Sequence, residues 1–329
     1  MLIDKFGRKI NYLRLAVTDR CNLRCQYCMP AEGINYEEKD SLLHYEEMIK
    51  LVTVLAELGV NKIRLTGGEP FVRKDFIYFL KNLNKIEGIE EINITTNGTL
   101  IYKYYEQLKK LKIGAINLSI DSLDKNNFFK ITRRNQFDRV WQTFEELQEH
   151  EFKTKLNIVC LPNQNTHELK DFVALTKDKD ISVRFIEEMP FNGTGLREVS
   201  DVWDKHKIFH EITTHFQDIE ALPSPKSSTS ENYSIKGHKG TFGIIPAFTR
   251  TICGGCNRIR ITATGDLKLC LFDDGAFNLR DQLRKGASKE QLKQLFRNLI
   301  DKKPQNGFIA ENNRKNAGKV SESMSTIGG

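Results

Sequence analysis

The stretch 12–28 reads YLRLAVTDRCNLRCQYC, an alternating run that opens into three cysteines spaced C-x3-C-x2-C. In 12–17, Leu13, Leu15 and Val17 fall on one face of a strand, and Arg14 and Ala16 on the other. Cys21, Cys25 and Cys28 follow at the strand's C-terminal end. Three thiolates on one short loop hold three irons of a [4Fe–4S] cube and leave the fourth iron open to a small molecule. A structural zinc site wants four protein ligands, and the nearest histidine is His44. A disulfide pair fits poorly with seven cysteines, an odd number, and a start, MLIDKFGRKI, that lacks the apolar core of a secretory signal. The loop is therefore read as the seat of a reactive cluster.

Working outward, short β-rich runs alternate with amphipathic ones as far as residue 186. Strands are predicted at 12–17, 62–65, 91–95, 115–120, 155–159 and 182–186. Helices are predicted at 45–58, 75–86, 104–111, 137–149 and 166–177, with Gly59 stopping the first. Strand–helix repetition argues for parallel strands joined by right-handed crossovers. Six units fit an α/β fold, an incomplete (β/α)6 TIM-like barrel. The strands alternate: Ile63 and Leu65 oppose Arg64; Ile92 and Ile94 oppose Asn93 and Thr95; Ile116 and Leu118 oppose Asn117 and Ser119; Leu156 and Ile158 oppose Lys155 and Asn157; Val183 and Phe185 oppose Arg184 and Ile186. The apolar faces suit helices. The other faces converge on an interior carrying Arg14, Arg64, Lys155 and Arg184, which is unfavourable unless a ligand fills it.

Active sites of such barrels lie at the strands' C-terminal ends. There stand the cysteine loop, then Thr66-Gly67-Gly68-Glu69-Pro70, whose glycines permit close backbone approach to a ligand, then Thr95-Thr96-Asn97-Gly98, Ser119 and Met189. Cys253, Cys256 and Cys270, spaced C-x2-C-x13-C, form a second triad, with Gly254 and Gly255 allowing a tight loop. Spacing alone leaves two readings open: a second open cluster, or zinc with His238 as fourth ligand. Arg258 and Arg260 share one face directly after this triad and suit carboxylate or phosphate oxygens. Cys160 ends an apolar strand and reads as a buried thiol. The tail 302–329 is polar, and composition alone predicts disorder.

The string CNLRCQYCMP, with Tyr27 before the third cysteine, resembles the radical S-adenosylmethionine (SAM) enzymes. Together with RLTGGEP, VRFIEEM, TICGGCNRIRIT through Cys270, and the terminal Gly328-Gly329, it resembles the GTP 3′,8-cyclase family of molybdenum-cofactor biosynthesis over nearly the whole chain. The resemblance implies two [4Fe–4S] clusters: Cys21, Cys25 and Cys28 holding the one that binds SAM, and Cys253, Cys256 and Cys270 holding one that binds GTP. It implies Tyr27, Gly68, Ser119 and Met189 along SAM. It places Arg14, Arg64, Thr95, Lys155, Arg184, Arg258, Ile259 and Arg260 along GTP. It also implies that Arg258, Arg260, Gly328 and Gly329 support the chemistry, with the tail reaching into the site. The reaction implied is hydrogen abstraction from ribose C3′ by a 5′-deoxyadenosyl radical and attack of C3′ on guanine C8. Implied partners are an electron donor such as flavodoxin or ferredoxin, the downstream cyclic pyranopterin monophosphate synthase, and a possible homodimer.

Bulk properties agree. The 329 residues allow one large α/β domain plus an extension, divided here as 1–222 and 223–329. No run of eighteen apolar residues predicts a membrane span, and a cytoplasmic location is expected. A net charge of +7 suits a polyphosphate, while the absence of a basic stripe or appended RNA-binding motif argues against nucleic acid. No P-loop is present, so hydrolytic use of a triphosphate is not supported. Two rivals remain: a radical-SAM enzyme acting on RNA or a peptide with an auxiliary cluster, and a non-enzymatic iron–sulfur or zinc scaffold. Polar strand faces and the Gly-Gly-Glu turn at a strand end speak against the second.

Overall fold

A computed structural model describes residues 1–191, 193, 201–314 and 322–328. All six predicted strands form: β1 (Tyr12–Ala16), β2 (Lys62–Thr66), β3 (Glu91–Thr96), β4 (Ile113–Ser119), β5 (Thr154–Cys160) and β6 (Ser182–Glu187). Each pairs in parallel with the next, as crossover connections require. The intervening helices are α1 (Tyr45–Glu57), α2 (Phe76–Leu83), α3 (Tyr105–Leu108), α4 (Lys125–Thr132), α5 (Phe137–Glu149) and α6 (Leu169–Ala174). Helix α1 shows the logic. The Glu47 carboxylate accepts from the His44 backbone N–H at 2.7 Å, Met48, Leu51, Val52 and Leu55 bury its inner stripe, and Gly59 ends it at φ +96°. Helix α4 is additional to the predicted helices; its N-cap Asp124 accepts from Asn127 N–H at 2.8 Å.

The later chain adds α7 (Lys205–Thr213), the strands β7 (Ile219–Leu222), β8 (Glu231–Ile235), β9 (Thr241–Ile245), β10 (Arg258–Ile261), β11 (Asp266–Lys268) and β12 (Phe277–Asn278), and the helices α8 (Leu279–Arg284), α9 (Lys289–Ile300), α10 (Gly307–Asn312) and α11 (Met324–Ile327). The described strands make one sheet in the order β12-β11-β10-β1-β2-β3-β4-β5-β6-β9-β8-β7. The extension is therefore woven into both edges of the barrel sheet. Strand β10 pairs in parallel with β1, and β9 in parallel with β6. Residue 222 pairs with Asn232 in the β7–β8 hairpin, so the sheet runs unbroken past it.

Register fixes the functional faces. Arg14 lies opposite Arg64 on one side and Arg260 on the other, and Tyr12 opposite Lys62 and Arg258. The alternate residues Leu13, Leu15, Ile63, Leu65, Ile259 and Ile261 are fully buried in the main core beneath the helices. A second, small core joins Phe191, Phe272, Ala310 and Ile327 beside Cys270 of the later triad. No helix among the described residues is long and apolar enough to cross a membrane.

Candidate active site

One cavity at the C-terminal end of the strands brings the two cysteine triads together. Cys21, Cys25, Cys28, Cys253, Cys256 and Cys270 all line it, although up to 249 residues separate them in sequence. All seven cysteines are free thiols.

The first triad sits on a loop held from behind. Leu23 N–H and Asn97 Nδ2 donate to the Cys21 sulfur at 3.4 and 3.7 Å. Tyr27 Oη donates to Asp121 Oδ2 at 2.8 Å, and Val159 N–H donates to the other carboxylate oxygen at 2.9 Å, which ties the loop to the ends of β4 and β5. Glu69, fully buried, accepts from Phe71 N–H, Thr96 Oγ1 and Asn97 N–H at 3.1, 2.8 and 2.6 Å. Burial first and the Glu69 charge second push the Cys21 thiol up to about 11. Cys25 and Cys28 are also raised, by burial and then by their neighbours. Thiolates are costly here without a cationic partner, which bound iron would provide. Gly67 and Gly68 of the Thr66–Pro70 turn line the cavity and also pack against the chain beside them. A Cβ on Gly67 or Gly68 would meet the Thr18 or Arg20 carbonyl oxygen at 2.2 Å, so they admit the chain that leads into the cysteine loop.

The second triad differs in electrostatics. Burial alone would raise the Cys256 thiol, but Lys303 and Arg258 outweigh it and bring it down to about 6. Burial raises Cys270. Gly255 packs against the Lys226 carbonyl, where a Cβ would approach to 1.9 Å, whereas Gly254 faces open space. His238 does not reach this triad; its Nδ1 lies 2.8 Å from Thr176 Oγ1, outside the cavity, so it cannot complete a zinc site. Among the described residues no three His, Cys, Asp or Glu side chains converge closely enough for one ion. Two open triads of thiols fit a larger inorganic core instead.

Between the triads lies a cationic interior. Arg14, Arg64, Arg258 and Arg260 line the cavity with Thr95. Burial first, then Arg260 and Arg64, hold Arg14 well below the usual guanidinium range. Arg184 and Arg260 are each pushed down to about 10, by burial and then by a neighbouring arginine. Among the described residues the donors Arg14 Nε, Arg64 Nε, Arg184 Nε and Thr95 Oγ1 are buried without a hydrogen-bond partner, as is the acceptor Asn157 Oδ1. Buried donors without acceptors mark a place that an anion would fill.

Most predicted residues meet in this cavity: Tyr27, Gly68, Ser119, Met189, Arg14, Arg64, Thr95, Arg258 and Arg260 all line it. Lys155 and Arg184 are not on its lining but couple to it through Arg64. The Ile259 side chain is fully buried in the main core, on the opposite face of β10 from the arginines, so only its main chain is available beside them. The tail corrects the expectation of disorder. Met324 and Ser325 line the cavity, Ser323 Oγ donates to the Cys28 carbonyl at 2.7 Å, and Arg260 Nη1 donates to the Gly328 carbonyl at 2.6 Å. Gly329 lies outside the described residues. Missed were Asp121, Asn157, Arg250 and Phe272, which also line the cavity, and Lys303 beneath the second triad. Asn157 was legible from strand alternation; the other four carry no local pattern.

Comparison with known proteins agrees with this geometry. Residues 15–176 match the radical SAM superfamily, and residues 181–309 match Molybdenum Cofactor Synthesis C. A GTP 3′,8-cyclase of Petrotoga mobilis is 40% identical over 329 residues, covering 100% of both chains. One of Desulforamulus reducens is 37% identical over 330 residues, again covering 100% of both. A molybdenum cofactor biosynthesis protein of Caenorhabditis elegans is 40% identical over 311 residues, 94% of this chain and 52% of that one. The chain spans about half the length of that relative and of its Dictyostelium discoideum counterpart. In fold it is similar to Streptococcus suis SuiB solved with S-adenosylmethionine, with a TM-score of 0.59 at 18% identity over 88% of this chain and 68% of that one. A match to relatives along the entire chain, with a separate family model on each half, shows that it belongs to the GTP 3′,8-cyclase family of radical SAM proteins.

Proposed function

We propose that this chain is a GTP 3′,8-cyclase that converts GTP to 3′,8-cyclo-7,8-dihydro-GTP in molybdenum cofactor biosynthesis. The observation that carries the reading is the interior row Arg260–Arg14–Arg64, set side by side on β10, β1 and β2, with Arg258 beside it and buried donors unpaired. Such a row fits a triphosphate, whose oxygens accept bidentate hydrogen bonds and carry the counter-charge.

Cys21, Cys25 and Cys28 would hold the [4Fe–4S] cluster that chelates SAM, with Tyr27, Gly68, Ser119 and Met189 along the SAM molecule. Cys253, Cys256 and Cys270 would hold a second [4Fe–4S] cluster at the guanine end of GTP. When bound, the first cluster and SAM would supply a 5′-deoxyadenosyl radical; the C3′ hydrogen would leave in 5′-deoxyadenosine, C3′ would bond to C8, and one electron from the donor with one proton would close the dihydro product. The chain's own part is placement. Arg14, Arg64, Lys155 and Arg184 hold the phosphates from the barrel interior. Thr95, its hydroxyl buried without a partner, offers a hydrogen bond to the same substrate. Arg260, bonded to the Gly328 carbonyl, fixes the tail across the site, and the tail with the small core of Phe191, Phe272, Ala310 and Ile327 excludes water from the radical. The Molybdenum Cofactor Synthesis C match over 181–309 favours GTP over RNA or a peptide as substrate. A low-potential donor such as flavodoxin or ferredoxin, a cytoplasmic setting, homodimerisation and hand-over to a cyclic pyranopterin monophosphate synthase complete the proposal.

The test is an anaerobic incubation of the reconstituted chain with SAM, dithionite and GTP, followed by mass spectrometry. Both 5′-deoxyadenosine and a cyclised GTP should form. Arg258→Ala with Arg260→Ala should abolish the cyclised product and leave 5′-deoxyadenosine. Formation of 5′-deoxyadenosine with GTP untouched in the unaltered chain would overturn the substrate.

A further inference from the structure

Residues 1–14 precede both family matches, yet they reach the second triad. Leu2 to Ile10 folds back on itself: Ile10 N–H donates to the Leu2 carbonyl at 2.9 Å, Ile3 and Lys9 bridge antiparallel, and Gly7 turns the chain at φ +74°. Leu2 and Ile10 are fully buried in the main core, so this turn is anchored rather than frayed. At its centre sits an ion pair, Asp4 Oδ2 with Arg8 Nε at 2.6 Å, its side chains 0% and 8% exposed. The other Asp4 oxygen accepts from Phe6 and Arg8 N–H at 3.0 and 2.9 Å.

With its Nε committed to Asp4, the Arg8 guanidinium turns its remaining donors to the main chain. Nη1 donates to the Cys253 carbonyl at 3.2 Å and the Gln305 carbonyl at 2.8 Å, and Nη2 to the Pro304 carbonyl at 2.7 Å. The adjacent Lys303, 2% exposed, donates to the Arg258 carbonyl at 2.8 Å and also to the Leu269 carbonyl. Cys253 itself, the residue two beyond Cys256, and the residue before Cys270 are thus all held by one of two buried cations that are joined through 303–305. A planar guanidinium offers five donors at fixed angles, whereas an ammonium offers three on a freely rotating head. A buried pair is weak as a source of stability but strong as a fixer of geometry, because removing one partner leaves the other charge uncompensated.

We propose that the Asp4–Arg8 pair is a positioning device for the second cluster: it sets the Cys253 arm of the triad relative to the arms held by Lys303. The inference rests on reading Cys253, Cys256 and Cys270 as cluster ligands. Arg8 and Asp4 touch neither substrate nor cluster and act through the Cys253 carbonyl and the 304–305 chain.

The experiment uses the full chain, reconstituted anaerobically with iron and sulfide, as wild type, Arg8→Met, Arg8→Lys and Asp4→Asn. Two cubane clusters predict about eight irons per chain. Arg8→Met should hold about four, with the paramagnetic-resonance signal of the second cluster lost and SAM cleavage to 5′-deoxyadenosine by the first retained. Asp4→Asn, which keeps side-chain shape and leaves Arg8 without its counter-charge, should lose part of the same signal. Arg8→Lys should fall between Arg8→Met and wild type. Full iron content with an unchanged second-cluster signal in both Arg8→Met and Asp4→Asn would overturn the proposal. So would joint loss of both clusters in both variants, since the pair would then serve the whole fold rather than one loop. A wild-type chain that itself holds about four irons would overturn the second-cluster reading, and this inference with it, whatever the variants do.

Discussion

Lys155 carries a charge that depends on what fills the barrel. Burial, then Arg184 and Arg64, lower its ammonium to about 7, from an ordinary value above 10. On the proposed function, a triphosphate beside it would reverse the repulsion and raise that value again. The sign follows: below about 7 the lysine is already charged and binding takes up no proton there; above it, binding must bring a proton with it. GTP affinity should therefore fall as pH rises from 7 to 9, by at most about tenfold per unit. Lys155→Met should bind more weakly at pH 7 and lose most of that slope. Titration calorimetry in two buffers of different ionisation enthalpy reads the proton uptake directly. An unchanged slope in Lys155→Met would place the titrating group elsewhere. Lys155, like Arg14, Arg64 and Arg184, was legible from alternation alone, because a charged residue between two core-facing ones on a parallel strand has only the interior to enter. The same alternation explains Ile259: two flanking arginines facing the cavity turn it into the core.

At the scale of elements, the strands were readable and their partners were not. A period of two marks β1 to β6 locally, whereas the pairing of β10 with β1 joins residues some 246 apart and leaves no trace in either segment. The tail α11 is the sharper case. Its composition is polar, but Ser323 and Ser325 hydrogen-bond to each other at 2.7 Å, Ser323 caps the Cys28 carbonyl, and Ile327 supplies the apolar anchor. The contacts of Ser323 with Cys28 and of Ile327 with the small core are long-range, so composition pointed the wrong way. Gly328 ends α11 at φ +76°, where a Cβ would lie 3.0 Å from Thr66 Cγ2 and 3.2 Å from Ala16 Cβ. Gly328→Ala should cost about 1–3 kcal/mol of local strain, which displaces the tail rather than unfolding the barrel. We expect 5′-deoxyadenosine formation to persist while cyclised GTP falls at least tenfold, with little change in the melting curve. Retention of full cyclisation by Gly328→Ala would remove the tail from the chemistry.

At the scale of the molecule, two cores have different dependencies. The main core runs from Leu2 through β1–β6 and the helices over them to β9–β11, α8 and α9, and none of the six cysteines of the triads belongs to it. The small core of Phe191, Phe272, Ala310 and Ile327 has Cys270 packed against it and closes the tail over the site. Metal binding contributes folding energy to whatever it organises, and local units open at their own free energies. Stripping iron from the reduced chain should therefore spare the barrel and release the closure. Far-UV circular dichroism and the main thermal transition should survive chelation, because the apolar area that stabilises the barrel is unaffected. Limited proteolysis should then cut the iron-free chain first within residues 322–328, at sites protected in the loaded chain. Loss of the main transition on chelation would instead mean that the triads hold the barrel itself, since the thiols, once free, would leave a buried cationic interior with nothing to offset it.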